Sequence, residues 1–325
     1  MNLIPRYISY IRSARRYSSR TVALYDRILN DFADSVCSDG TTLTEHLNPN
    51  GIRSYEVMLL DERKLAPKTV NLHLSVLSGF SRFLIKEGIL RSNPVSIVSR
   101  PKVSKRLPEF FRQDAMQEYF SNTEYFAGRE DLEAFLQAPM TKTGRQAYER
   151  RLARLILNLL YTLGIRRSEL LSLTVGSVDF GRKIVKITGK GDKMREIPLL
   201  VSLSEEILLY LKAVEALCGG ERSLKEPLLV TYNGNALYPG YVDKAVKSEL
   251  GNVKGISGRK SPHVLRHSLA TELLNEKASI NSIKELLGHS SLAATQVYTH
   301  SNIARLKDIY ESAHPRAKNG GKNGD

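Results

Sequence analysis

The residues best suited to chemistry lie near the C-terminus, between Ser261 and His300. This stretch holds four of the chain's seven histidines, an arginine, and a tyrosine nine residues after a Gly-His pair. Imidazole exchanges protons near neutral pH, guanidinium binds oxyanions, and a tyrosine hydroxyl is a nucleophile. The combination indicates chemistry on an anion.

His263, Arg266 and His267 have the i, i+3, i+4 spacing that places side chains on one face of a helix. The two histidines also have the spacing of a zinc pair. However, Val264 stands where the HExxH pattern requires Glu, and Arg266 would repel Zn²⁺. A metal site is therefore disfavoured. Structural core histidines beside a surface arginine remain an alternative.

A lysine-bearing motif, GKGDK, spans 189–193 between two segments predicted as strands, 183–188 and 194–200. The pattern predicts a β-hairpin with Lys190 at its turn. A Walker motif needs Ser or Thr after the lysine and then a helix, so a nucleoside triphosphate site is disfavoured. The alternative for Lys190 is a solvated turn residue.

Two further groups have structural explanations when each is taken alone. Arg166 and Arg167 follow Gly164 at the end of an apolar helix, and Glu169 stands three residues after Arg166. Cations at that end stabilise the helix dipole. Tyr298 ends a predicted helix, and a lone tyrosine is most often a half-buried structural residue.

Apolar residues at helical spacing predict that a mostly helical chain carries these motifs. A third β segment is predicted at 228–231. The predicted helices lie near 4–11, 19–36, 52–64, 67–87, 113–120, 130–137, 144–163, 168–171, 239–250, 264–275, 280–287, 292–297 and 303–310, with a short one at Thr44.

Length and charge narrow the class of protein. A chain of 325 residues is large for one hydrophobic core, so two domains are expected. The net charge of +14 favours a polyanionic partner, with nucleic acid as the first candidate. Residues 1–107 are the more basic part, with 17 Lys and Arg against 9 Asp and Glu. The segment RPKVSKRLP, 100–108, predicts an extended linker that can follow a phosphate backbone.

Other features point to a cytoplasmic protein with no membrane partner. No apolar run reaches the ~18 residues that a membrane span requires. The N-terminal residues lack the apolar core and cleavage site of a signal peptide. Cys37 and Cys218 form no recognisable pattern, so we expect reduced thiols.

Taken together and in this order, five motifs resemble the tyrosine recombinase (lambda integrase-like) family, and within it the Xer recombinases. The motifs are LGIRRSEL (163–170), GKGDK (189–193), SPHVLRH (261–267), LLGHS (286–290) and YTH (298–300). The resemblance covers essentially the whole chain. It implies a mainly α fold: a helical N-terminal core-binding (SAM-like) domain over 1–98, a linker over 99–108, an α+β catalytic domain with a small β-hairpin over 109–316, and a disordered tail over 317–325.

The resemblance implies that Tyr298 is the nucleophile. Its hydroxyl would attack a phosphodiester of double-stranded DNA, form a 3′-phosphotyrosine and release a 5′-hydroxyl. Arg166 and Arg266 would bind the non-bridging oxygens, because a planar guanidinium donates two parallel hydrogen bonds. Negative charge grows in the transition state, so fixed cations stabilise that state more than the ground state.

The remaining site residues also follow from motif position. Lys190 would protonate the leaving 5′-oxygen, and His263 and His289 would exchange protons with the scissile phosphate or donate hydrogen bonds to it. Glu169 would orient Arg166. His267 is a supporting residue, for which a purely structural role is an equal alternative.

The resemblance further implies a homotetramer, or a tetramer with a paralogue, acting on paired DNA sites through a Holliday junction. No cofactor is implied, because the phosphotyrosine retains the bond energy needed for religation. The alternatives are a catalytically silent architectural DNA-binding protein and a type IB topoisomerase. One departure is a segment around 122–150 that is longer than in the compact Xer pattern, which places a housekeeping Xer role in question.

Overall fold

The computed structural model of the protein describes residues 3–37, 42–103, 110–189, 193–251, 253–256 and 258–288. The chain divides into two compact units, Met1–Arg106 and Leu107–Asp325, each with its own hydrophobic core. Several predictions lie outside the described residues. They concern Lys190, His289, Tyr298, part of the linker at 104–108, the helices at 292–297 and 303–310, and the tail at 317–325.

Helices form the first unit, and their buried faces follow the apolar spacing of the sequence. In the first helix Ile4, Tyr7, Ile8 and Ile11 are all buried. A π-helical turn, Met58–Glu62, extends the fourth helix. The helices are α1 (Leu3–Ser13), α2 (Ser19–Val36), α3 (Leu43–His46), α4 (Pro49–Val57) and α5 (Pro67–Lys86), followed by a 3₁₀ turn at Pro94–Ile97.

The described part of the predicted linker, 99–103, has no regular secondary structure. Its backbone and side chains contact α5. The Asn71 amide donates to the carbonyl of Pro101 at 2.9 Å, and the Arg100 guanidinium donates to the Ser75 hydroxyl at 2.9 Å. The start of this basic segment is therefore held against the first unit.

The second unit is built around one long helix, α8, whose C-terminal half is almost entirely buried. Helices α7, α10, α11 and α12 pack against it. The helices of this unit are α6 (Gln113–Asn122), α7 (Arg129–Gln137), α8 (Lys142–Leu163), α9 (Arg167–Leu171), α10 (Val201–Cys218), α11 (Pro239–Glu249), α12 (Pro262–Asn275) and α13 (Ile280–Leu287).

The predicted hairpin is present in a small antiparallel sheet of order β1-β2-β3. Its strands are β1 (Val178–Asp179), β2 (Ile184–Thr188) and β3 (Met194–Pro198). Ile187 pairs with Arg195, and the N–H of Gly189 donates to the carbonyl of Lys193 at 2.8 Å. The hairpin therefore closes at the base of the loop that contains Lys190.

Two features of the second unit differ from the sequence predictions. The prediction of a β-strand at 228–231 is wrong, because this segment forms only a single bridge, between Val230 and Ala236. Helix α10 was not predicted. Apolar residues lie on more than one of its faces, including Leu208, which is 43% exposed. This distribution obscures the single stripe by which an amphipathic helix is recognised.

The longer segment around 122–150 is an integral part of the core. It forms a 3₁₀ turn at Glu124–Ala127, helix α7 and the first turns of α8. Leu132 and Phe135 are buried. The buried Arg151 donates to Asp131 at 2.7 Å and to the carbonyl of Gly128 at 2.9 Å. These contacts fix the segment to α8.

The fold class is confirmed: a mainly helical chain with an N-terminal helical unit and a small three-stranded sheet in the second unit. Within the described ranges, no helix has the length and apolar character to cross a membrane.

Glu272 gives the second unit a pH-dependent stability. It is buried on α12 and accepts a hydrogen bond from the Tyr161 hydroxyl at 2.7 Å. Within the described part of the chain its Oε1 has no hydrogen-bond partner. Burial raises the pKa of Glu272 from 4.5 to about 7, although the bond from Tyr161 opposes the rise. The folded protein therefore keeps a proton that the unfolded chain releases at lower pH.

We expect the free energy of unfolding to fall as the pH rises from about 4.5 to about 7, and then to become independent of this group. Glu272→Gln should remove that part of the pH dependence, as measured by urea unfolding of the full chain at pH 5, 6, 7 and 8. Glu276→Gln, at an exposed position just after α12, serves as the control. An unchanged pH slope in Glu272→Gln would contradict the assignment.

Candidate active site

Arg166 lies at the turn between α8 and α9. Gly164 ends α8 with φ of 58°. A Cβ at Gly164 would lie 2.7 Å from a methyl of Leu287 and 2.8 Å from one of Leu269, so only glycine fits without rearrangement. The chain then reverses, and Arg166 becomes the N-cap of α9. This turn places Arg166 at the start of α9, next to α12 and the end of α13, which carry Leu269 and Leu287.

Three hydrogen bonds hold Arg166. Its backbone N–H donates to Glu169 Oε2 at 2.8 Å, and its Nη1 donates to Glu169 Oε1 at 2.8 Å. Its Nη2 donates to the carbonyl of Gly288 at 3.1 Å. The side chain is nevertheless 40% exposed. The guanidinium is thus oriented by the protein and still accessible to a ligand.

Glu169 is buried and ionised at neutral pH. Arg195 donates to both of its carboxylate oxygens, at 3.0 and 2.8 Å. Burial raises the pKa of Glu169, but the bonds from Arg195 and Arg166 outweigh burial and lower the pKa to about 2. Glu169 therefore acts as a fixed anion that orients arginines, and it does not exchange protons near neutral pH. Its supporting role in the reaction stays a prediction.

Arg195 belongs to this cluster, although none of the five sequence motifs contains it. It lies on β3, is 6% exposed, and donates from Nε to the carbonyl of Leu286 at 3.1 Å. A signal for it exists in the sequence. Alternation in the strand places Arg195 on the same face as the buried Ile197, where an arginine requires a buried partner.

Arg266 occupies the core side of α12 and is 5% exposed. Its Nη1 donates to the carbonyl of Gly164 at 2.6 Å, and its Nη2 donates to the carbonyl of Leu287. Burial and, to a smaller extent, repulsion by the nearby Arg166 cation lower the pKa of Arg266 to about 10. Arg266 remains charged at neutral pH and links the ends of α8 and α13.

The alternative of core histidines beside a surface arginine is the reverse of what is found. His263 and His267 are exposed, whereas Arg266 is buried. The two imidazole rings lie edge to face with centroids 5.2 Å apart. Helical spacing correctly predicted that the three residues are neighbours. Packing of α12 decided which of them faces inward.

Partial desolvation of the imidazole by neighbouring groups lowers the pKa of His263, and His267, Arg266 and Arg166 lower it further by charge repulsion. We therefore expect His263 to titrate below the ordinary histidine value of about 6.5. His267→Gln should raise the pKa of His263, because it removes one of the repelling groups. NMR titration of ¹³C-labelled histidine in the full chain measures the pKa of His263 in the unmodified protein and in His267→Gln. A His263 midpoint at or above about 6.5 in the unmodified protein would contradict this.

The described residues therefore bring together Arg166, Glu169 and Arg266, with His263 on the same helix as Arg266. The chain neighbours of two further predicted residues also reach this cluster. Gly288, which precedes His289, accepts from Arg166. A Cβ at Gly189, which precedes Lys190, would lie 3.6 Å from Glu169 Oε1. Lys190, His289 and Tyr298 lie outside the described residues, and the predicted roles of all the site residues remain predictions.

No group of three or more His, Cys, Asp or Glu residues in the described ranges could hold a metal ion. The cluster contains three guanidiniums, those of Arg166, Arg195 and Arg266, and one carboxylate, that of Glu169. Such an excess of positive charge suits an anion.

Two family models match the chain. Residues 4–88 match the phage integrase N-terminal SAM-like domain, and residues 128–305 match the phage integrase family. The second match covers more than half of the chain and includes every predicted site residue. The chain belongs to the phage integrase family.

Individual members of the family agree with this assignment. Tyrosine recombinase XerC of Chlorobaculum parvum is 34% identical over 322 residues, which cover 96% of this chain and 94% of the relative. The Tn1549 transposon integrase in complex with transposon right end DNA has a TM-score of 0.64 at 17% identity, covering 94% of this chain and 98% of that one. A lambda integrase tetramer bound to a Holliday junction has a TM-score of 0.58 at 19% identity, covering 92% and 79%. The resemblance to tyrosine recombinases of the Xer type is confirmed.

Proposed function

We propose that this protein is a site-specific DNA recombinase that cleaves and rejoins DNA through a covalent 3′-phosphotyrosine intermediate and a Holliday junction. One observation carries the proposal. Arg166 and Arg266 donate to the carbonyls of two consecutive residues, Gly288 and Leu287, so their guanidiniums are fixed beside each other. Glu169 offsets only one of the three positive charges of the cluster, so the positive charge that remains suits a bound anion.

The scissile phosphodiester is the anion that suits this arrangement. In phosphoryl transfer, negative charge spreads over the equatorial oxygens in the transition state. Preorganised guanidiniums stabilise that charge without reorganising during the reaction. Arg166 is the more exposed of the two and would bind one non-bridging oxygen directly. Arg266 would supply the second positive charge and keep the turn that carries Arg166 in place.

The other roles in the proposal rest on motif position within the family. Tyr298 would attack the phosphorus, and Lys190 would protonate the leaving 5′-oxygen. His263 and His289 would contact the phosphate oxygens or exchange protons with them. His263 suits hydrogen-bond or base chemistry near neutral pH, because its lowered pKa keeps the imidazole neutral.

The proposal includes the assembly and the domain division. The lambda integrase neighbour is a tetramer on a Holliday junction. By analogy, four copies of this chain, or this chain with a paralogue, would act on paired double-stranded DNA sites in the cytoplasm. Residues 1–98 would form the core-binding domain, 99–108 the linker and 109–316 the catalytic domain. The two family matches, 4–88 and 128–305, support this division.

A nicked suicide duplex tests the proposal. Duplexes that bind the protein would first be selected from a randomised pool and then synthesised with a nick just 3′ of each candidate cleavage point. Loss of the short fragment after cleavage prevents religation, so a recombinase accumulates a complex that resists SDS. A protein that binds these duplexes and never forms such a complex would instead be the architectural DNA-binding alternative.

A further inference from the structure

Arg195 joins three segments of the candidate active site through one buried side chain. Its Nη1 and Nη2 donate to the two oxygens of Glu169, at 3.0 and 2.8 Å. Its Nε donates to the carbonyl of Leu286, near the end of α13, at 3.1 Å. Its backbone belongs to β3, the strand that follows the loop containing Lys190. All three guanidinium nitrogens are therefore used in positioning.

The approach to Gly288 is also close. Gly288 has φ of 64°, and a Cβ built there would lie 2.9 Å from Arg195 Nη1 and 3.1 Å from Cζ. A side chain at this position would displace the guanidinium. Because the Gly288 carbonyl also accepts from Arg166, the two arginines are placed by the same turn.

The arrangement also distributes charge. Glu169 carries one negative charge and is bonded to both Arg166 and Arg195. If Arg195 were neutral, the carboxylate would pair with Arg166 alone and would cancel most of its charge. With Arg195 present, the carboxylate is already matched by a bidentate partner, so Arg166 keeps positive charge for a ligand. The four groups Arg166, Arg195, Arg266 and Glu169 then have a net charge of +2.

We propose that Arg195 is a positioning residue for DNA cleavage: it neutralises Glu169 so that Arg166 remains available to the phosphate, and it ties the lysine-bearing hairpin to the end of α13. Arg195 does not itself touch the DNA phosphate. The inference rests on the proposed function, because it assigns Arg166 to the scissile phosphate.

The test compares single and double variants on the nicked duplex at saturating protein. Arg195→Gln should slow formation of the covalent complex by about 10- to 100-fold, by analogy with the loss of residues that orient metal ligands in metalloenzymes. Its affinity for the uncleaved duplex should change little. Adding Glu169→Gln to Arg195→Gln should recover part of the lost rate, because the unmatched carboxylate is gone and Arg166 is released.

Recovery in the double variant distinguishes charge matching from simple structural support. A purely structural role predicts that the double variant is no faster than Arg195→Gln, and that result would overturn the proposal. The control is Glu196→Gln, at the next position of the same strand, whose partner Arg182 is 45% exposed. It should leave the rate unchanged.

Arg195→Lys covers the case in which Arg195→Gln does not fold. Lysine keeps the charge but cannot donate to both oxygens of Glu169 and to Leu286 together. It should give a rate below that of the unmodified protein and, where Arg195→Gln folds, above that of Arg195→Gln. If Arg195→Lys forms the covalent complex as fast as the unmodified protein, the positioning role is overturned.

Inorganic phosphate provides a readout that does not depend on recombination. Calorimetric titration should show weaker phosphate binding in Arg195→Gln, where the four-group charge falls to +1, and recovery in the double variant, where it returns to +2. If the unmodified protein traps no DNA, the recombinase proposal fails. The order of phosphate affinities then still supports or overturns the role of Arg195.

Discussion

Replacing Tyr298 with Phe is expected to abolish the covalent protein–DNA complex. The substitution removes only the oxygen that would bond to phosphorus, so the rate of complex formation should fall by at least about 10⁴-fold, as for loss of other catalytic nucleophiles. Binding should change little, because contacts to the phosphate backbone supply most of the affinity. Denaturing gels of labelled nicked duplex measure the covalent complex, and gel shift under native conditions measures binding.

Tyr238→Phe is the matched control. Tyr238 lies in the second unit and is 60% exposed, so loss of its hydroxyl should leave complex formation intact. If Tyr298→Phe still forms the covalent complex, Tyr298 is not the nucleophile. Mass spectrometry of the DNA-linked peptide from the unmodified protein would then identify the residue that reacts.

Arg266 is expected to show the second largest effect, and on two properties at once. Arg266→Ala leaves the buried carbonyls of Gly164 and Leu287 without their donor. Each unsatisfied group costs about 1–3 kcal/mol, so the free energy of unfolding should fall measurably. The cleavage rate of the folded fraction should fall by about 10²–10³-fold, as for loss of one preorganised group in an oxyanion site, because the cluster loses a positive charge and the turn that carries Arg166 loses its support.

Arg266→Lys separates the two effects. A lysine ammonium restores a charge and can reach one carbonyl, but it lacks the planar fork that serves both. We therefore expect Lys to recover part of the stability and little of the cleavage rate. Urea unfolding and single-turnover cleavage of the nicked duplex are the two measurements.

Arg151→Ala is a suitable control for the loss of a buried arginine. Arg151 is 1% exposed and pairs with Asp131 and Gly128, not with the arginine cluster. Arg151→Ala should lower the free energy of unfolding, whereas the folded fraction should cleave DNA at the rate of the unmodified protein. An Arg266→Ala variant that cleaves as fast as Arg151→Ala would restrict Arg266 to a structural role.

The sequence determined which residues could do the chemistry and most of the helices that carry them. Helical spacing is a local property, so it placed α12 and α13 correctly and made neighbours of His263, Arg266 and His267. The order of the five motifs indicated the family, and with it the predicted nucleophile Tyr298. Turn residues also act locally, and the hairpin on both sides of Lys190 was predicted from them.

Only the tertiary structure decided which groups meet and which of them are buried. Arg195 lies 26 residues from Glu169 and 91 from Leu286, and no local pattern links these three positions. Arg266 faces inward because the carbonyls at the ends of α8 and α13 need a donor there, and helical spacing alone cannot distinguish that orientation from an exposed one. The motifs thus identified the reactive groups, whereas long-range packing determined the charge balance around Glu169 that holds Arg166 ready for an anion.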